Sequence, residues 1–155
     1  MLVIEPKSVY FADAPLTGVR TIAIERRAAT LAEEWSDTGP HQMFCDATRV
    51  RTVVRVVQHL DTGDPAALVA APVPGRQDQL RFEASMGNQG SAGAGAGGNR
   101  GTRRFAMLAC VVAAATELVP GPLTASGARQ ASVAVRTITL HVVASAPGVD
   151  PVQVS

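Results

Sequence analysis

Residues 132–144 read Ser-Val-Ala-Val-Arg-Thr-Ile-Thr-Leu-His-Val-Val-Ala. Ala134, Ile138, Leu140 and Val142 fall on one side of an extended chain; Thr137, Thr139 and His141 fall on the other. Alternation of this kind, built from β-branched residues, is the signal of a half-buried β-strand. The same period of two recurs upstream. Residues 19–26 (VRTIAIER) set Val19, Thr21, Ala23 and Glu25 against Arg20, Ile22, Ile24 and Arg26. Residues 50–59 (VRTVVRVVQH) carry Arg51 and Arg55 on a polar face, and residues 79–85 (QLRFEAS) gather Leu80, Phe82 and Ala84. A shorter strand is expected at 9–11, between Ser8 and Asp13.

Residues 103–118 (RRFAMLACVVAAATEL) fit two periods. Phe105, Leu108, Ala109 and Val112 share a helical face, while Val111-Val112 and the breaker Pro120-Gly121-Pro122 suit a buried strand. The strand is favoured, as one arm of a long β-hairpin with 132–144. One helix is expected. Asp64 supplies an N-cap acceptor and Pro65 the first helical position, and Pro72 and Pro74 close a short helix over 65–71.

With 155 residues, the chain has the length of one domain, for which roughly 100–200 residues is usual. Its 46% hydrophobic content suffices for a core and excludes a wholly disordered chain. The 4% aromatic content suits Ala- and Val-rich sheet packing better than a pocket walled with rings. A net charge of +1 provides no overall field for nucleic acid or anionic membrane. The longest apolar run, 105–115, is far shorter than the roughly 18–20 residues of a membrane span. The first residues show no basic region ahead of an apolar stretch, so folding in a cytoplasm is expected.

Two segments read as long loops. Residues 87–101 hold seven of the fourteen glycines, and residues 32–41 (AEEWSDTGPH) carry the only Trp. A Gly-rich loop of about 15 residues inside one domain is either functional or disordered. Gly93, Gly95 and Gly98 satisfy G-x-G-x-x-G, but a dinucleotide site needs that turn tight against a strand within a βαβ unit. Here the preceding strand ends near Ser85 and only 57 residues follow Gly98. No G-K-[ST] makes it a P-loop.

His41, His59 and His141 have no zinc-hydrolase spacing. His141 is expected on a polar strand face, solvated or at an interface. No G-x-S-x-G isolates a nucleophile, and the adjacent Glu33 and Glu34 would point to opposite faces of a strand. Neither an enzyme nor a cofactor is expected. Cys45 and Cys110, 65 positions apart, form no metal motif. They read either as buried apolar thiols or as a cross-link formed after the protein leaves a reducing compartment. Thirteen of the fourteen basic residues are Arg, which tolerates interfaces better than Lys. Many, including Arg20, Arg26, Arg27, Arg49, Arg51, Arg55, Arg103, Arg104 and Arg136, lie on or beside the expected strands, and describe either solvated faces or a subunit engaged by neighbours.

Five stretches together resemble the tube-forming subunits of bacteriophage tails. They are Val9-Tyr10-Phe11-Ala12-Asp13; Gly18-Val19-Arg20-Thr21-Ile22-Ala23-Ile24-Glu25-Arg26; and Leu31-Ala32-Glu33-Glu34-Trp35-Ser36-Asp37-Thr38-Gly39-Pro40. Residues 50–58 and Arg136-Thr137-Ile138-Thr139-Leu140-His141-Val142-Val143-Ala144 complete the set. The likeness lies in the order of elements over most of the chain, and the Gly-rich insert at 87–101 departs from it. Tail-tube proteins and the related Hcp proteins of type VI secretion imply a mainly β fold, a sandwich or barrel with one short flanking helix and long loops. Six copies would form a ring with a continuous inner β-barrel, and stacked rings a hollow conduit through which viral DNA passes without specific binding.

The resemblance further implies a single domain over 1–155, location in the virion tail, and partners beyond the chain itself: a sheath protein, a tail terminator and a baseplate. Residues 28–41, with Glu33, Glu34, Trp35 and Asp37, would make inter-ring contacts, and 87–101 would do so secondarily. Cys45 and Cys110 would be the candidates for an inter-subunit disulfide. A tail-terminator or head–tail connector ring is the nearest alternative, and a small ligand-binding or enzymatic β-barrel another.

Overall fold

Burial repeats every second residue over 52–60, 80–84 and 134–140 of the computed structural model, which describes residues 1–35, 40, 42–61, 66, 71–86, 101–118 and 133–155. The strands are β1 (Leu2–Ile4), β2 (Pro6–Phe11), β3 (Ala14–Pro15), β4 (Val19–Trp35), β5 (Gln42–Asp61), β6 (Gln77–Met86), β7 (Gly101–Leu118), β8 (Val133–Val142) and β9 (Gln153–Val154). They form one antiparallel sheet in the order β1-β4-β5-β8-β7-β6-β2-β3, with β9 added beside β7. The chain is mainly β, as the alternation indicates.

Ile22 and Ile24 of β4, Val54 and Val56 of β5, and Ile138 and Leu140 of β8 turn the same way and are buried. So do Leu80 and Phe82 of β6 and Phe105 and Met107 of β7. Phe82 faces Phe105 across the ladder, and their rings stack with centroids 4.7 Å apart. The expected hairpin of 103–118 with 132–144 is present as the β7–β8 ladder, in which Cys110 faces Val142 and Leu118 faces Val135.

A flat sheet could not enclose this core. β1 lies at one margin, β2 near the other, and only Glu5 stands between them in the chain. Consecutive Cα atoms are 3.8 Å apart, so Ile4 and Pro6 lie within about 7 Å of each other. The sheet therefore curls until its margins meet, and the alternating apolar face becomes the inside. Among the described residues no ladder joins β1 and β4 to β2 and β3, so the sheet is open and not a hydrogen-bonded barrel.

Of the expected flanking helix, only Ala66 is described as helical. Its span, 65–71, lies outside the described residues except for Ala66 and Ala71. The expected loop at 87–101 likewise lies outside them, except for Gly101, which begins β7 and faces Met86 across the ladder. The insert thus connects two strand ends already in register.

Gly18 shows how tightly the β4 entry is built. Its φ of +69° favours glycine, and an added Cβ would sit 2.2 Å from the carbonyl oxygen of His59. His59 N–H donates to the Gly18 carbonyl at 2.8 Å. Gly148 has a similar φ of +78°, but an added Cβ would meet nothing within 4 Å. Gly18→Ala is therefore expected to destabilise by several-fold more than Gly148→Ala, which costs about 1 kcal/mol for the left-handed backbone alone. Urea unfolding of both variants checks the ranking.

Candidate functional site

Strand length sets the outline of the molecule. β8 covers β5 only from Thr52 to Asp61, and β1 covers β4 only from Ile22 to Ile24. Beyond those limits β4 and β5 continue together, pairing from Ala28↔Val50 to Trp35↔Gln42. The result is a two-stranded ribbon, here called the arm. Register shifts fall between Ala28 and Thr30, Thr30 and Leu31, and Glu34 and Trp35. Such irregularities bend a ribbon and increase its twist.

The arm corrects one expectation. Residues 32–35 are strand and not loop, because Ala32, Glu33, Glu34 and Trp35 pair with Asp46, Cys45, Phe44 and Gln42. The expected inter-ring residues Glu33, Glu34 and Trp35 are all exposed, Trp35 at 58%; Asp37 lies outside the described residues. Leu31, Phe44 and Val50 are exposed along the same ribbon. An unpaired ribbon edge with large apolar side chains is a ready template for another chain.

Charge divides along the arm. Near the tip stand Glu33, Glu34 and Asp46, with no Lys or Arg at the described positions 31–35 and 42–48. At the base stand Arg27, Arg49 and Arg51, and the ladder sets Arg27 directly opposite Arg51. Like charges in facing positions oppose pairing. Arg27 is partly neutralised, since its Nε donates to Glu25 Oε1 at 2.6 Å, and Arg55 lies 3.8 Å from Glu25 Oε2. The Arg27 hydrogen bond is the main reason that the Glu25 carboxyl is held below its usual range. Arg49 and Arg51 have no ion-pair or side-chain hydrogen-bond partner among the described residues. Arg26 is tied differently, its guanidinium donating to both Asp150 oxygens at 2.8 and 2.6 Å.

The outer face of the β4-β5-β8-β7 sheet carries the exposed Arg51, Arg55 and His59 among smaller side chains. Val53, Val57, Val135, Thr137, Thr139 and His141 are half-buried there, with small or β-branched side chains predominating. His141 thus occupies the face opposite the core, as its parity suggested. On the core side, Arg136 is buried at 1% exposure, its Nε 2.6 Å and an Nη 2.5 Å from Glu117 Oε1. Gln58 faces Arg136 across the ladder and donates from Nε2 to the Thr17 carbonyl at 2.8 Å. A polar cluster thus closes this end of the core.

A separate open groove of about 530 Å³ lies over β2, β6 and β7, beside Ser8, Tyr10, Arg81 and Arg104. Both arginines are engaged there, Arg81 with Asp13 and Arg104 Nε with Glu83 Oε1 at 2.8 Å. Among the described residues no group of three His, Cys, Asp or Glu side chains could hold a metal ion, and no helix is long and apolar enough to cross a membrane. No known protein family model matches the chain, and no curated protein does.

The two cysteines occupy opposite environments. Cys45 is exposed on the arm opposite Glu33, and Cys110 is fully buried in β7; both are free. A cross-link through Cys110 would require opening the core, which leaves Cys45 as the accessible thiol. Burial pushes the Cys110 thiol from 9.0 up to about 12, against a smaller opposing effect of a backbone hydrogen bond. Above the unfolded value the unfolded chain releases this proton and the folded one keeps it, so this thiol's contribution to stability falls as pH rises from about 9 toward 12. At pH 8 a thiol reagent is expected to titrate one cysteine in the native protein and two in guanidinium. Mass mapping should place the first label on Cys45.

Proposed function

We propose that this chain is a structural subunit of a bacteriophage tail tube, forming hexameric rings that stack into a hollow conduit for DNA. The observation that carries the reading is the arm. A ribbon exposed on both faces, open along both edges among the described residues and bearing Leu31, Trp35, Phe44 and Val50 is poorly suited to a solitary monomer. In a ring, neighbouring copies cover the apolar side chains and pair the open edges, and closed symmetry leaves no copy unmatched.

The remaining features fit this role. The sheet that curls within one chain continues into an inner barrel across six. The outer face of β4-β5-β8-β7, with its Val and Thr side chains and the arginines of β5, lines the conduit. Glu25 pairs with both Arg27 and Arg55 on this face and offsets part of their charge. A sheath, a terminator and a baseplate are the further partners of such a tube, and the virion tail is its location. No catalytic step is assigned to it.

Negative-stain electron microscopy of the purified protein over a concentration series, with light scattering, tests this. Hollow filaments with a regular ring repeat are expected. Closed single rings would replace the tube with a terminator or connector, and a persistent monomer at all concentrations would overturn the reading. The paired variant Trp35→Ala with Phe44→Ala should abolish filaments while shifting unfolding stability by no more than about 0.5 kcal/mol per site, because both side chains are exposed.

A further inference from the structure

We infer that the acidic tip of one copy's arm docks against the arginine base of another copy's arm, Glu33, Glu34 and Asp46 meeting Arg27, Arg49 and Arg51. This rests on the assembly reading above and names the two surfaces that meet.

Separation along the ribbon is the first argument. Glu33 stands six positions beyond Arg27 on β4, about 20 Å at about 3.3 Å per residue, and Arg49 stands three positions from Asp46 on β5, about 10 Å. Both separations exceed the screening length of about 8 Å at physiological salt. Within a copy, therefore, the two charge clusters do not neutralise each other. A second copy is the partner that brings both halves of the complement.

Unsatisfied charge is the second argument. Arg27 and Arg51 face each other across the ladder, and Arg49 and Arg51 lack partners among the described residues. Glu33, Glu34 and Asp46 also lack ion-pair or side-chain hydrogen-bond partners among the described residues. Carboxylates placed beside the facing arginines relieve their repulsion and accept paired N–H bonds from the guanidinium forks. Apolar contact accompanies the charge match. Trp35 and Phe44 travel with the acidic tip, and Val50 lies between Arg49 and Arg51, so the same approach covers exposed apolar surface. Opposite ends of one element meeting in this way make a head-to-tail contact, which propagates into a ring or filament; two arms laid antiparallel would satisfy it as a closed dimer.

Charge reversal with mixing tests the inference. One chain carries Glu33→Arg and Glu34→Arg, and a second carries Arg49→Glu and Arg51→Glu. All substituted side chains are exposed, and circular dichroism with thermal melts checks each fold. Sedimentation velocity should show each variant alone associating at least tenfold more weakly than wild type, and an equimolar mixture recovering association. Glu33→Gln with Glu34→Gln should weaken association less, and should flatten its dependence on salt. Wild-type rings or filaments with unaltered variants would overturn this inference and leave the tube reading standing. Recovery on mixing as closed dimers would support the inference and overturn the tube. A wild type that stays monomeric throughout would overturn both.

Discussion

The one-residue link between β1 and β2 constrains everything else in this molecule. Glu5 joins a strand at one margin of the sheet to a strand near the other, so the sheet has to curl. Curling gives the alternating strands an inside and an outside. Ile22, Val54, Ile138 and Leu140 meet Leu80, Phe82 and Met107 in one core. The closeness of the Gly18 backbone to His59 belongs to the same constraint, since the chain enters β4 where a side chain would have no room.

Mismatch in strand length then produces the arm. β5 spans 20 residues and β8 only 10, so half of β5 runs past the strand that covers it. β4 accompanies it, and each satisfies the inward backbone groups of the other while, among the described residues, no strand pairs with the outward groups. A two-stranded ribbon by itself is marginally stable in water. Its persistence as a long exposed element, with large apolar side chains and charges separated along its length, is the physical basis for proposing assembly. On the core side of the sheet the buried Arg136 is paired within the chain, with Glu117. Among the described residues the arm pairs few of its own charged groups.

Much of the fold was legible in the sequence because a period of two is a local property. The parity of Ile22 and Ile24, of Leu80 and Phe82, and of Ile138 and Leu140 identifies the buried face without any tertiary information. The same parity, applied strictly, places Arg136 inside with Ala134 and Ile138; grouping it with the surface arginines overlooked that signal. Partner choice was less accessible. Residues 32–35 carry no alternation, and their strand conformation is imposed by pairing with Phe44, Cys45 and Asp46, a contact that composition does not announce. The arm residues Glu33, Glu34 and Trp35 were singled out as inter-ring contacts in a loop, whereas they stand exposed on a strand, and the charge division between tip and base emerges only once the β4–β5 register is known. Cys110 was open to either reading from its apolar neighbours, and its position beside the core decides for burial.

Hydrogen–deuterium exchange on the monomeric and assembled protein tests most directly the claim that the arm is completed by other copies. Amides of residues 28–35 and 42–50 should exchange quickly in the monomer and become protected on assembly, while those of β7 and β8 stay slow in both states. Arm amides that exchange equally fast in the assembled protein would contradict the account.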